Sequence, residues 1–239
     1  MNALIDLHTH TIASGHAYST LKENIEEASR KGILVLGTSD HSICMPGGPN
    51  EFFFENYKTI KNQIMGVQIL RGIEANIINY DGNIDVNQKM IKYIDYVIAS
   101  LHSHCIDSGS IQENTRAIVG AMKNPYVKII GHPDDDRFKI DYDIVVESAK
   151  KYKVALELNN SSLLDHSARL NGRKNAKEML LKAIKNEVYI IMGSDSHIYY
   201  DVGRFDEAQA LLREVEFPER FVINYNLDRL KEVLRQASG

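Results

Sequence analysis

The feature that most constrains this chain is a regular exchange between two kinds of segment. Short runs of aliphatic and β-branched residues recur seven times, at residues 3–7, 33–38, 68–73, 96–101, 127–131, 154–158 and 188–193. Each has the length and composition of a buried strand. Between them lie segments with helical spacing, at 20–31, 51–65, 110–123, 144–151, 172–185 and 205–215. In the first of these, Leu21, Ile25 and Ala28 fall on one face and Gly32 supplies a C-terminal stop. Near-continuous apolar strands alternating with helices predict a parallel sheet covered by helices. Seven such units fit a closed or nearly closed α/β barrel. Residues 76–86 interrupt the alternation, and the Asp81-Gly82 pair there predicts a turn in a small β excursion.

Length agrees, since 239 residues suit one barrel domain spanning 1–239. No repeat or linker divides the chain. The nucleotide-binding folds lose their main support, because neither GxGxxG nor GxxxxGK[ST] occurs. A net charge of −4 argues against a nucleic-acid partner. No run is long and apolar enough to span a bilayer, and the N-terminus lacks the layout of a signal peptide. Two cysteines, Cys44 and Cys105, cannot build a secreted disulfide scaffold; reduced thiols and a cytoplasmic location are expected.

Nine histidines stand out in this composition, and most sit where strands end. His8 and His10 end the first strand, His41 follows the second, Glu74 the third, His102 the fourth and His132 the fifth. Glu157 lies within the sixth, and Asp195 and His197 follow the seventh. In a barrel of parallel strands these C-terminal ends converge on one mouth. Residues two apart on an extended strand share a side, so Asp6, His8 and His10 are expected together, with Ile5 and Leu7 turned to the outer helices. Two imidazoles projecting together can hold one divalent ion. Asp195-Ser196-His197 repeats the spacing. His102-Ser103-His104 repeats it too and leaves open which ring would ligate, while periodicity does not place His16. A buried carboxylate at Glu74 needs a partner, and its two oxygens could bridge two cations.

In this order, DLHTHTIASGHAYST, TSDHS, ILRGIEANI, GHP, ALELNNSS and GSDSH resemble the PHP (polymerase and histidinol phosphatase) superfamily, most closely its small YcdX-like phosphatase branch. The resemblance runs from Asp6 to His197. It implies a distorted (β/α)7 barrel, TIM-barrel-like, with three divalent metal ions, usually zinc. It assigns His8, His10, Glu74 and Asp195 to the first ion, and Glu74, His102 and His132 to the second. His16, His41 and His197 go to the third. The choice of His102 over His104, and His16 as a ligand, come from the resemblance. Nitrogen and carboxylate donors without thiolates suit zinc, manganese or iron alike. Asp6 and Asp40 are the expected partners that orient the ligating rings.

A cluster of cations neutralises phosphoryl oxygens and lowers the pKa of bound water, so a metal-bound hydroxide could attack phosphorus. The leading expectation is hydrolysis of a small phosphomonoester, with Arg204 as a phosphate contact. The alternatives are a phosphodiesterase like the exonuclease-type PHP domains, a carbon–nitrogen hydrolase, and a non-catalytic metal-binding regulatory protein. The run Asp134-Asp135-Asp136 reads as a solvated loop and Cys105 as an inert thiol. Residues 42–54, with two prolines, two glycines and three consecutive phenylalanines, form either the pocket rim or packing against the barrel. Asn159, Asn160 and Ser161 are expected to stiffen the loop after the sixth strand.

Overall fold

The strand periodicity is realised in full. The computed structural model describes residues 3–235. Its strands are β1 Ile5–Asp6, β2 Val35–Thr38, β3 Gln63–Ile64, β4 Val67–Asn76, β5 Tyr96–Ser100, β6 Val127–Ile130, β7 Ala155–Asn159 and β8 Ile190–Gly193. Seven run parallel in the order β1-β2-β4-β5-β6-β7-β8, and β3 pairs antiparallel with β4. The helices are α1 Leu21–Lys31, α2 Glu51–Glu55, α3 Gln88–Ile91, α4 Ile111–Met122, α5 Tyr142–Tyr152, α6 Gly172–Asn186, α7 Asp206–Glu214 and α8 Leu227–Arg235. Capping boxes at Thr20/Glu23 and Ser110/Glu113 start α1 and α4, each satisfying two otherwise unpaired backbone donors.

No ladder joins β8 to β1. The seam is closed by a parallel bridge between Thr9 and Ser196 and by side chains. Asn224, fully buried, donates to the carbonyls of Ile5 and Met192 and accepts from the Met192 amide. Asp6 accepts from the Ser194 hydroxyl at 2.6 Å and from the Gly203 amide at 2.8 Å. The result is a nearly closed (β/α)7-type barrel.

Two apolar clusters follow from the pleat. One, between strands and helices, includes Leu36, Ile73, Val97, Ala99, Leu156 and Met192. The other fills the barrel with Ile5, Leu7, Val35, Leu70, Tyr96, Ile98, Ile129, Ala155 and Ile191, and α8 adds Leu230 and Val233. Along the inward face each strand changes character. Leu70, Gly72 and Glu74 succeed one another on β4, and Ala155, Glu157 and Asn159 on β7. The lower barrel is oily, and its mouth is ionisable.

Two expectations need correction. Ile5 and Leu7 pack inside the barrel rather than against outer helices. The β1 ladder ends at Asp6, and the less regular chain beyond it turns both imidazoles inward. The helix expected over 51–65 stops at Glu55, becomes a 3-10 turn over Asn56–Thr59 and then forms β3. Met65 and Gly66, at φ 53° and 80°, make the tight turn into β4, and edge pairing there outweighs helical spacing. Strand β4 runs on through Asn76. The excursion after it is a turn closed by a bridge between Ile77 and Ile84. Helices α3 and α8 have no counterpart among the helical segments expected from the spacing of apolar residues.

Tyr96 crosses the barrel and donates to the Leu7 carbonyl. A Cβ at Gly37 or Gly72 would overlap its phenol, so these two strands carry glycine to admit the ring. Gly37→Ala is expected to lower stability by about 1–3 kcal/mol, as overpacking does. The double variant with Tyr96→Phe should recover part of that loss in thermal melts; a neutral Gly37→Ala would refute this packing account.

Candidate metal centre

Burying a charge is costly unless it is paired, and Glu74 is fully buried at the end of β4's inward face. Imidazoles surround it. Its Oε2 lies 2.7 Å from His41 Nδ1, 3.4 Å from His8 Nε2 and 3.5 Å from His10 Nε2. Its Oε1 lies 3.0 Å from His132 Nε2 and 3.2 Å from His102 Nε2. Asp195 Oδ1 stands 3.2 Å from His10 Nε2 and 3.4 Å from His8 Nε2. The His16 ring lies 4.9 Å from both the His41 and His197 rings. All nine residues named from the sequence meet at one mouth. His104 stays at its rim.

Ring orientation is set from behind. His102 Nδ1 meets Asn76 Oδ1 at 2.7 Å, and Asn76 in turn donates to Asp85. His10 Nδ1 meets Ser14 Oγ at 3.1 Å, while that hydroxyl donates to Asp40. His8 Nδ1 meets Glu157 Oε1 at 2.6 Å. With an acceptor behind each ring, Nδ1 carries the proton and Nε2 turns its lone pair to the centre. Asp40 therefore acts on His10 through Ser14. Asp6 orients no ring: it ties β1 to Ser194 and Gly203 across the seam.

The residues fit a cation on one test internal to the fold. Five buried polar atoms here have no hydrogen-bond partner: His8 Nε2, His10 Nε2, His41 Nδ1, His102 Nε2 and Glu74 Oε2. They lie near one another without hydrogen-bond alignment, as ligand atoms aimed at shared ions would. Buried polar atoms are otherwise seldom left unpaired. Three triads bring ligand atoms within 4.8 Å: His8, His10 and Glu74; His41, Glu74 and His102; His10, His41 and His197. The last pairs His10 with His41 and His197, where the resemblance gives that position to His16.

The electrostatics agree. Burial alone would raise the Glu74 carboxyl, but His41, His102 and His8 hold it well below the usual carboxylate range. Burial would likewise raise Asp195, but His8 and Arg169 hold it well below the usual carboxylate range. Burial, reinforced by His197 and His41, pushes His10 well below an ordinary imidazole, and burial also lowers His102. His8 runs the other way: burial would lower it, but Glu157, Asp195 and Glu74 raise it well above an ordinary imidazole, so a cation there would displace a proton. Neutral imidazoles beside ionised carboxylates are the state in which these groups bind cations.

Above the cluster opens a cavity of about 420 Å³, lined by His16, His41, His102, His197, Arg137 and Arg169 among others. Arg204 is not among them. It belongs to a separate cavity with Ala3, Lys31 and Ile33, and its guanidinium is held by Asp201 and Asp206. Of the two arginines at the mouth, Arg137 is paired with Asp135, while Arg169 Nη2 meets Asp195 Oδ2 at 2.8 Å and its buried Nε is unpartnered. Arg169 was not singled out from the sequence. It lies in an irregular loop after β7, where no periodicity could single it out.

Other expectations divide. The acidic run is no solvated loop: Asp134 and Asp135 are buried, Asp135 paired with Arg137 and Asp134 accepting from Ser162. Asp136 accepts from Asn171 and Asn175. Met45 and Pro46 line the mouth while Phe54 is buried, so residues 42–54 do both things expected of them. Asn160 stiffens its loop by accepting from the Ala208 amide, whereas Asn159 reaches Glu157 and Asp195. Burial pushes the Cys105 thiol up to about 12, which keeps it unreactive.

The PHP domain pattern matches residues 6–161. A Clostridium botulinum protein named "Probable phosphatase" is 44% identical over 98% of this chain and 96% of its own length. Solved structures show the same fold at low identity. A Listeria monocytogenes protein superposes with a TM-score of 0.66 at 16% identity, covering 84% of this chain and 98% of its own. The histidinol phosphate phosphatase of Lactococcus lactis, complexed with zinc, L-histidinol and phosphate, gives 0.58 at 15% identity, covering 91% and 95%. The chain belongs to the PHP domain family.

Burial raises Asp134 to about 7. An acid whose folded pKa exceeds its unfolded value of about 4 binds its proton more tightly when folded. Its contribution to stability is therefore most favourable below pH 4 and declines as pH rises toward 7. In metal-free protein, Asp134→Asn should gain on wild type in urea midpoint as pH goes from 5 to 7.5; a constant difference would contradict the assignment.

Proposed function

We propose that this PHP-family protein is a metal-dependent phosphomonoesterase acting on a small substrate. That it hydrolyses phosphoric ester bonds follows from family membership and from a near-full-length relative named as a phosphatase. The finer reading rests on one observation: five unpartnered buried donor atoms converge beneath a 420 Å³ cavity that also presents a buried arginine. His8, His10, Glu74 and Asp195 would hold one ion, Glu74, His102 and His132 a second, and His16, His41 and His197 a third. Zinc fits these donors, as do manganese and iron. When bound, the ions would neutralise phosphoryl charge and supply an activated water at neutral pH.

The chain's own groups do the rest. Arg169 lines the cavity and has a planar fork suited to phosphate. Met45, Pro46 and His104 leave room for a small organic group.

Glu74→Gln is expected to remove most bound metal and at least about 10²-fold of kcat/KM together, read by elemental analysis and p-nitrophenyl phosphate turnover. Full turnover in metal-depleted Glu74→Gln would sink the reading. Arg169→Ala should keep its metal yet lose about 10–100-fold in kcat/KM, the scale of one lost charge-assisted contact. Faster cleavage of bis-p-nitrophenyl phosphate than of the monoester by wild type would favour the diesterase alternative.

A further inference from the structure

Glu157 was legible from the sequence only as a carboxylate within a strand, and no ligand set includes it. It sits 1% exposed inside the barrel, below the cluster. Both its oxygens are committed. Oε1 meets His8 Nδ1 at 2.6 Å, and Oε2 accepts the His132 backbone amide at 2.7 Å. Asn159 Nδ2 adds a third contact at 3.1 Å to Oε2.

Two further features show that the slot is built for this carboxylate. A Cβ on Gly193 would overlap Glu157 Oε1 and come within 3.0 Å of His8 Cβ, so β8 must carry glycine here. His132 holds a left-handed backbone at φ 28°. A non-glycine residue adopts that only where its surroundings enforce it, and the bond from its amide to Glu157 is one such restraint.

We propose that Glu157 is a positioning residue that joins two ligand groups of the metal centre into one loading unit. The proposal rests on the metal-centre reading above. An ionised carboxylate only accepts hydrogen bonds, so facing His8 Nδ1 it selects the ring form protonated there. His8 Nε2, unpartnered and 3.4 Å from both Glu74 Oε2 and Asp195 Oδ1, is then left free for a cation. Through its other oxygen the same carboxylate fixes the backbone that carries His132, whose Nε2 lies 3.0 Å from Glu74 Oε1. One side chain thus sets a ligand of the first implied ion and a ligand of the second.

Glu157→Gln keeps the shape and removes one acceptor. If its amide oxygen faces His8, the NH₂ opposes the His132 amide. If the oxygen faces His132, the NH₂ drives the His8 proton to Nε2 and blocks the metal side. Zinc titration of metal-free protein against a competing chelator should show two of the sites, those that include His8 and His132, weakened together by about 10–100-fold. The site of His16, His41 and His197 should keep its wild-type affinity. Unchanged zinc affinities in a folded Glu157→Gln protein overturn the proposal, as does weakening of one site without the other. Should the variant not fold, the long-range ¹H–¹⁵N spectrum of zinc-loaded wild type decides: a proton on His8 Nδ1 supports the proposal, and its absence overturns it. A wild type that takes up no zinc overturns the metal-centre reading itself, a result distinct from either of these.

Discussion

The Glu74 carboxylate has no exposed surface, yet sits at the top of an oily barrel. A charge in that position needs compensation from its immediate surroundings. Much of the upper molecule can be understood as that compensation. Five imidazoles face it, and each of three of them has an acceptor behind it that dictates which nitrogen turns inward. Those acceptors are themselves held: Ser14 by Asp40, Asn76 by Asp85, and Glu157 by Asn159 and the slot at Gly193. The polar network is therefore two layers deep before it reaches apolar packing.

The barrel makes such a network affordable by its division of labour along each strand. Inward positions low in the strands carry Leu70, Tyr96, Ile129 and Ile191, while those near the ends carry Glu74, Glu157 and Asp195. Glycines separate the two regimes at Gly72, Gly131 and Gly193, and a Cβ at any of them would strike an inward neighbour. At the mouth, His132 and Asp195 both adopt positive φ. Backbone strain of this kind, at two proposed ligands, marks geometry chosen for a site rather than for stability.

Much of this was legible in the sequence, for a physical reason. Strand position follows from hydrophobic pattern, and a parallel barrel brings strand ends together whatever the intervening sequence. His8, His10, His41, Glu74, His132, Asp195 and His197 were readable on that basis, as was one of His102 and His104, a choice only family resemblance made. His16 was not, because it lies in a loop without periodicity, and only family resemblance named it. The same blindness hid Arg169 and favoured Arg204, which lies closer in sequence to Asp195 and His197 but is carried into a different cavity. The helix expected over 51–65 ended at Glu55, because the residues after it form a 3-10 turn and then β3, paired to β4 through the turn at Met65 and Gly66. Asp6 failed differently: alternation assigned it to the metal side, but the ladder ends there and its carboxylate serves the seam.

That seam bears on why the mouth holds its shape. Between β8 and β1 the ring is closed by one bridge and by the side chains of Asn224 and Asp6, the weakest continuity in the sheet. It is also where His8 and His10 leave β1 and where Asp195 and His197 leave β8. A ladder there would fix both strands in strict alternation and turn successive side chains to opposite faces. The side-chain closure leaves backbone free to depart from that alternation, as Asp195 does at φ 52°. Four proposed ligands thus converge from the one join at which the barrel is not held by regular strand pairing.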